Sequence, residues 1–385
     1  MEEFFKKKLT RKEFLKNSLL FCLGTGLVSS LIDLFTKPKA FGKDRETFYL
    51  REARFYKHID EQTVQCELCP RKCTLSDGVR SFCRAREPKD GKLYSLVYGQ
   101  ACAVHIDPIE KKPLFHFLPG TPIFSVATAG CNFRCKFCQN WQISQSRPEE
   151  TDSYPLTPEE IVNETLKNNC PSIAYTYTEP SIFYEYMLDT AKIAKIKGIK
   201  NMYHSNGSLN PAAVEELSLY LDGANIDLKG FTQEFYSQNC AGYLETVLKT
   251  LKLLKRNRVW LEITNLVIPT LNDDLKQIKQ MCLWIKENLG PDVPLHFSRF
   301  WPQYKLTSLN PTPTETLDEA RQIAQDTGLN FVYIGNIPGH PAENTYCPKC
   351  KKPVIKRSGF SVLENSLTSA GNCKFCQTPI PGIWS

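Results

Sequence analysis

The stretch "GCNFRCKFCQNW" (130–141) places cysteines at Cys131, Cys135 and Cys138, a C-x3-C-x2-C spacing. Thiolates are soft ligands that hold iron–sulfur clusters. A cube of four irons anchored by three cysteines keeps one iron open, and an open position can take a substrate or cofactor directly, as an open zinc site does. Three ligands therefore suit catalysis better than storage or simple electron transfer. A structural zinc site, or chance spacing, is the alternative for this trio.

Two further cysteine groups are closed sets of four. Cys66, Cys69, Cys73 and Cys83 follow C-x2-C-x3-C-x9-C, with a Gly78 turn inside the last interval. Zinc and an auxiliary iron–sulfur cluster both fit them. The spacing differs from the ferredoxin run, which favours a structural metal. At the other end, Cys347 and Cys350 are separated by 22 residues from Cys373 and Cys376. Paired knuckles at this distance read as a zinc ribbon or a rubredoxin-like site, with zinc preferred over a single iron. A metal closing a tail of roughly 40 residues would supply folding energy that so small a core cannot. Cys22, Cys102, Cys170, Cys240 and Cys282 have no partners in sequence and read as small buried hydrophobes.

These side chains need a scaffold. Short apolar runs at 123–130, 172–180, 201–207, 223–230, 259–269 and 294–300 read as strands. Helical patterns lie between them; Thr157 ahead of Glu159 and Glu160 is a capping signature. Alternation of this kind implies a parallel sheet with right-handed crossovers, here an α/β fold forming an incomplete (β/α)6 barrel. In such barrels the chemistry sits at the C-terminal strand ends. Cys131, Glu179, Asn206, Asp227, Lys229, Asn265 and His296 all fall there.

With that pattern behind it, the C-x3-C-x2-C motif resembles the radical SAM superfamily. Further stretches, among them "DPIEKKPLFHFLPG", "AYTYTEPSIFYEY", "NIDLKG", "EITNLVIPTLND", "PLHFSRF", "YIGNIPG" and "NTYCPKC", resemble the AmmeMemoRadiSam system radical SAM enzymes, relatives of the pyruvate formate-lyase activating enzymes. The likeness spans about residues 60–385. It implies a 4Fe-4S cluster on Cys131, Cys135 and Cys138 whose open iron chelates S-adenosylmethionine. Reductive cleavage would yield a 5′-deoxyadenosyl radical that abstracts hydrogen from a substrate. It implies Phe137 beside the adenine, Glu179 for the methionine ammonium, Asn206 within "SNG", Asp227 and Lys229 on the carboxylate side, and His296 near the adenosyl group. It also implies a one-electron donor such as flavodoxin or ferredoxin, a protein among the candidate substrates, and Memo-like and AMMECR-like protein partners. The sequence departs from the pattern at Tyr177 and Thr178, where the family often has two glycines, and at Ser81, Trp301 and Gln377.

The chain has 385 residues, 16 cysteines and a net charge of +7. The basic excess is mild and forms no block among aromatics, so nucleic-acid binding is not inferred. Metal-type cysteine clusters imply assembly in a reducing compartment. Residues 1–45 read as a leader plus linker. "TRKEFLK" resembles a twin-arginine export signal, with Lys12 at the second arginine, and an apolar stretch of about 18 residues follows. Export, membrane anchoring and an amphipathic surface helix all fit it. The remaining boundaries fall at 46–118 for the cysteine-rich segment, 119–340 for the barrel and 341–385 for the tail. Besides the enzyme, a non-catalytic multi-centre iron–sulfur or metal protein at the membrane is the second function considered. The three-ligand site and the carboxylates at strand ends argue for the enzyme.

Overall fold

A computed structural model describes residues 50–385; the leader and Cys22 lie outside the described residues. Eight strands form the central sheet: β1 (Ala103–Pro108), β2 (Pro122–Ala127), β3 (Ser172–Tyr175), β4 (Lys200–Ser205), β5 (Gly223–Asp227), β6 (Trp260–Val267), β7 (Leu295–Arg299) and β8 (Val332–Gly335). They lie side by side in sequence order. β2 to β8 are parallel, whereas β1 runs antiparallel to β2, with Ala103 opposite Ala127 and Pro108 opposite Pro122. The edge strands β1 and β8 are not paired with each other, so the sheet is open.

The parallel part therefore has one strand more than the six expected, and β1 adds an antiparallel edge. β8, four residues long like β3, is not among the runs read as strands. β1 has an exposed middle at His105 and Ile106, so its apolar signal is broken. The run at 172–180 also leaves the sheet early. β3 stops at Tyr175, and Thr176–Glu179 form a loop over the strand ends.

Six helices make the crossovers: α1 (Pro158–Lys167), α2 (Tyr184–Ile196), α3 (Pro211–Ser218), α4 (Leu244–Arg256), α5 (Leu275–Leu289) and α6 (Thr314–Thr327). The Thr157 signature is real. The Thr157 hydroxyl accepts from the Glu160 amide at 3.2 Å, and the Glu160 carboxylate accepts from the Thr157 amide at 2.7 Å. In α4 the residues at helical spacing, Val247, Leu251 and Leu254, are the ones that pack on the sheet. β3 is buried along its whole length, as a strand covered on both faces must be.

Two small antiparallel sheets between Arg51 and Ser95 cover one side. The one containing the strand Arg86–Lys89 is locked to α2 by Arg86 and Glu185, an ion pair of 2.7 Å with 1% and 2% of the side chains exposed. The tail strands Thr345–Tyr346, Pro353–Ser358 and Ser361–Asn365 form a third small sheet. Its Arg357 is buried and donates to the Phe115 carbonyl at 2.7 Å and the Thr345 hydroxyl at 2.9 Å. Among the described residues, no helix is long and apolar enough to cross a membrane.

Candidate active site

The loop after β2 carries the three cysteines. Gly130 starts it with φ +103°, and a Cβ there would stand 2.6 Å from the Cys83 carbonyl oxygen, so only glycine fits. The Phe133 amide donates to Cys131 Sγ at 3.3 Å, and Cys138 Sγ lies 3.1 Å from the Ser144 hydroxyl. Such donors suit sulfurs that carry charge. Burial pushes the Cys131 and Cys138 thiols up. A hydrogen bond with Cys240 is the largest influence raising Cys135, followed by burial. A metal is what would deprotonate such thiols.

One cavity of about 450 Å³ opens at the C-terminal strand ends. Cys131, Cys135, Cys138, Phe137, Glu179, Asn206, Asp227, Lys229 and His296 all line it. The sheet thus gathers every residue singled out for the three-cysteine cluster and its cofactor. Asn265 is the exception among the strand-end residues. Its amide turns away to the Leu228 carbonyl at 2.7 Å, and it does not line the cavity.

Glu179 sits in the loop after β3, where its carboxylate accepts from the Ser181 amide (3.0 Å), the Ser205 hydroxyl (2.8 Å) and the Asn206 amide (2.8 Å). A carboxylate accepts about four hydrogen bonds, so about one place remains for the cavity. Burial still raises its carboxyl above the ordinary range. Where the family often has glycine, Tyr177 takes φ 63°, the left-handed region that glycine favours. The residue is held in place at the cavity wall. Its hydroxyl donates to Asp107, the Lys112 ammonium lies 4.4 Å from its centroid, and the Asn140 amide donates to its carbonyl at 2.7 Å. The backbone shape survives the substitution.

Asn206, after β4, donates to Asn132 Oδ1 at 2.8 Å and lies 3.9 Å from Cys131 Sγ. It ties the cysteine loop to the Glu179 loop. At the end of β5, Asp227 meets Lys229 at 2.7 Å and His204 at 3.0 Å. Burial alone would raise the Asp227 carboxyl, but Lys229 and His204 hold it well below the usual range. Burial likewise works against the Lys229 ammonium, and Asp227 outweighs it. Phe137 packs beside Phe235 at 6.1 Å. His296 Nε2 is 2.7 Å from the Glu262 carboxylate, and its ring stacks on Tyr333 at 4.9 Å.

His204, Ser144, Cys240 and Glu262 were missed by sequence reasoning. β4 pairs with β5 one residue before the Asp227 position, and that neighbourhood is a matter of register. No spacing along the chain encodes it.

The flanking sets differ from each other. Cys347, Cys350, Cys373 and Cys376 hold their sulfurs all within 4.8 Å of one another. Cys66, Cys69, Cys73 and Cys83 line a separate small cavity behind the catalytic loop.

Residues 125–282 match the radical SAM superfamily. An uncharacterized protein of Methanocaldococcus jannaschii is 47% identical over 328 residues, covering 85% of this chain and 98% of its own. A protein of the same organism, provisionally named a glycyl-radical enzyme activating enzyme, is 26% identical over 165 residues, 41% of this chain and 66% of its own. A domain of pyruvate-formate lyase-activating enzyme from Bacteroides vulgatus is 21% identical, with a TM-score of 0.38 over 42% of this chain and 98% of that one. A non-catalytic metal protein leaves the strand-end carboxylates and the family match unexplained. The chain belongs to the radical SAM superfamily and is a radical SAM enzyme.

Proposed function

We propose that this enzyme reductively cleaves S-adenosylmethionine at a site-open 4Fe-4S cluster held by Cys131, Cys135 and Cys138, and uses the radical to take hydrogen from a protein substrate. The observation that carries this reading is the single cavity lined by all nine residues named for cluster and cofactor. No other trio of Cys, His, Asp or Glu among the described residues is packed as tightly as the tail quartet. At least one pair of the catalytic sulfurs therefore lies wider than any in the tail quartet, which suits a cluster with one cysteine per iron.

The bound cluster and cofactor supply the electron and the 5′-deoxyadenosyl radical. The chain's own residues bind and orient. Glu179, already fixed by three donors, offers its remaining acceptor position to the methionine ammonium. Asp227 and Lys229 address the carboxylate side, with His204 fixing Asp227. Phe137 flanks the adenine. His296, fixed by Glu262, borders the adenosyl end.

Lys111, Lys112, Glu343 and Phe360 come from the two flanks and line the same cavity. A protein substrate entering there would meet the exposed Lys111 and the half-exposed Phe360, with Lys112 and Glu343 buried behind them. The activating-enzyme name of one relative supports a protein substrate and a one-electron donor of the flavodoxin or ferredoxin class. Memo-like and AMMECR-like partners and the AmmeMemoRadiSam assignment rest on the sequence likeness, as does membrane delivery by residues 1–45. The tail is assigned zinc in a ribbon-like knuckle. Its sulfur pairs lie 3.5 and 3.8 Å apart, close to the ~3.8 Å edge of a tetrahedron with Zn–S of ~2.3 Å. The partial-barrel core is taken as 119–340, with the cysteine-rich segment at 46–118 and the tail at 341–385.

Anaerobic incubation of reduced protein with S-adenosylmethionine tests the reading. Wild type should form 5′-deoxyadenosine and Cys135→Ala should form none. Undiminished cleavage in the variant would remove the cluster assignment.

A further inference from the structure

Cys66 ends the strand Thr63–Cys66, Cys69 and Cys73 follow in the next turn, and Cys83 precedes the strand Arg86–Lys89. All four border one small cavity, together with Arg71, Arg86 and Asn132. The sequence spacing favours a structural metal such as zinc. Three observations bear on the choice: sulfur spacing favours something larger, charge calls for an anionic centre, and position suits a redox role.

The first is sulfur separation. The tail quartet is an internal standard for four thiols round one ion, with every sulfur within 4.8 Å of the rest. Among the described residues no other trio of such ligands meets that limit, so every trio drawn from Cys66, Cys69, Cys73 and Cys83 holds at least one sulfur pair beyond it, although all four side chains border one space. Four thiolates on one zinc would have to draw closer; one thiolate per iron of a cluster suits the wider spacing.

The second is charge. The Arg86 guanidinium is 1% exposed, and its Nη2 donates to both Glu185 oxygens at 2.9 and 2.7 Å. Its Nε and Nη1 have no partner. Buried donors left unmet are costly. These two belong to a side chain that borders the four thiols, where an anionic centre would accept from them. Ser81 adds a hydroxyl 3.2 Å from Cys83 Sγ while accepting from the Arg86 amide at 3.2 Å. That gives the departure at Ser81 a role.

The third is position. The Cys83 carbonyl presses on Gly130, and Arg71 Nε donates to the Asn132 carbonyl at 2.8 Å. Asn132 borders this cavity while its neighbour Cys131 borders the catalytic one. The two centres are back to back across the Gly130–Asn132 turn.

We infer that Cys66, Cys69, Cys73 and Cys83 bind an iron–sulfur cluster that relays single electrons from a ferredoxin- or flavodoxin-class donor to the three-cysteine centre. The donor loses one electron, the relay gains it and passes it on, and the catalytic centre is reduced by one. No bond is made or broken at the relay and no net proton is taken. The relay clause rests on the radical chemistry proposed above; the cluster clause does not.

The full chain, reconstituted anaerobically with ferrous iron and sulfide, tests both clauses. A Cys131→Ala, Cys135→Ala, Cys138→Ala triple variant should keep about four irons with matching sulfide, and adding Cys69→Ser and Cys73→Ser should remove them. Should the triple variant not fold, wild type should show a reduced-cluster paramagnetic signal that ignores S-adenosylmethionine beside one that responds to it, and Cys69→Ser/Cys73→Ser should lack only the first. About two zinc ions per chain, or a quartet that stays empty, would overturn the cluster. For the relay, Cys69→Ser/Cys73→Ser should cleave cofactor normally with dithionite but severalfold more slowly with reduced flavodoxin. Equal loss with both reductants would mean a structural role and overturn the relay. Wild type that never cleaves cofactor with dithionite would sink the radical reading and leave the quartet's iron count standing.

Discussion

Glu179 carries more than any other single side chain outside the cysteines. Three donors fix its carboxylate, and its remaining capacity faces the cavity. Glu179→Gln should weaken S-adenosylmethionine binding about 10- to 100-fold, the worth of a hydrogen bond to a charged group, as measured by isothermal titration. Unchanged affinity would assign the residue to loop structure alone. Cys240 asks a different question, because its thiol touches Cys135. Cys240→Ala should leave the catalytic cluster's iron content and its response to cofactor intact; loss of either would make Cys240 a fourth ligand and close the site. At this scale eight of the nine cavity residues were readable from motif spacing and strand ends, while Phe137 came only from the family resemblance. His204, Ser144 and Cys240 were not, because their roles come from contacts across strands and loops. Tyr177 was readable as a departure from glycine, but not as a residue holding glycine's backbone shape.

The elements were legible where burial writes a pattern. α1 announced itself through Thr157, and the six longer runs announced the parallel strands. β8 was passed over although it is no shorter than β3, and β1 failed because its middle is exposed. The contacts between elements were illegible. Arg86 and Glu185 lie 99 residues apart, yet they form the buried pair joining the cysteine-rich segment to α2. Glu185→Ala should destabilise the fold by about 3–5 kcal/mol in denaturant melts, since it strands a buried guanidinium. His116 is a second such joint. Its ring reaches the Pro381 carbonyl and the Tyr333 hydroxyl. Burial lowers its pKa from the ordinary 6.5 to about 4. The unfolded chain therefore binds the proton first as pH falls. Its stabilising contribution is full above pH ~6.5 and is lost downward toward pH ~4. Between pH 7 and 5 stability should fall by on the order of 2 kcal/mol from this group, and a His116→Asn variant should lose that part of the pH dependence. A variant with the same acid sensitivity as wild type would exclude His116 as its source.

Across the whole molecule the three cysteine groups take different places: one lines the main cavity, one lines a second small cavity, and one forms a tight quartet in the tail. The tail brings Glu343 and Phe360 to the cavity's lining, while its tight quartet takes no part in that lining. Removing the tail metal with a chelator should lower thermal stability while leaving the catalytic cluster spectroscopically present; simultaneous loss would couple the tail to the chemistry. The most direct test of the account concerns the iron that the three cysteines leave free. Electron–nuclear double resonance on the reduced enzyme, with S-adenosylmethionine labelled at the methionine nitrogen and carboxylate, should show both labels coupled to the cluster spin. A fully loaded, reduced cluster that shows no such coupling would mean that no iron is open to the cofactor, and the proposed chemistry would have no starting point.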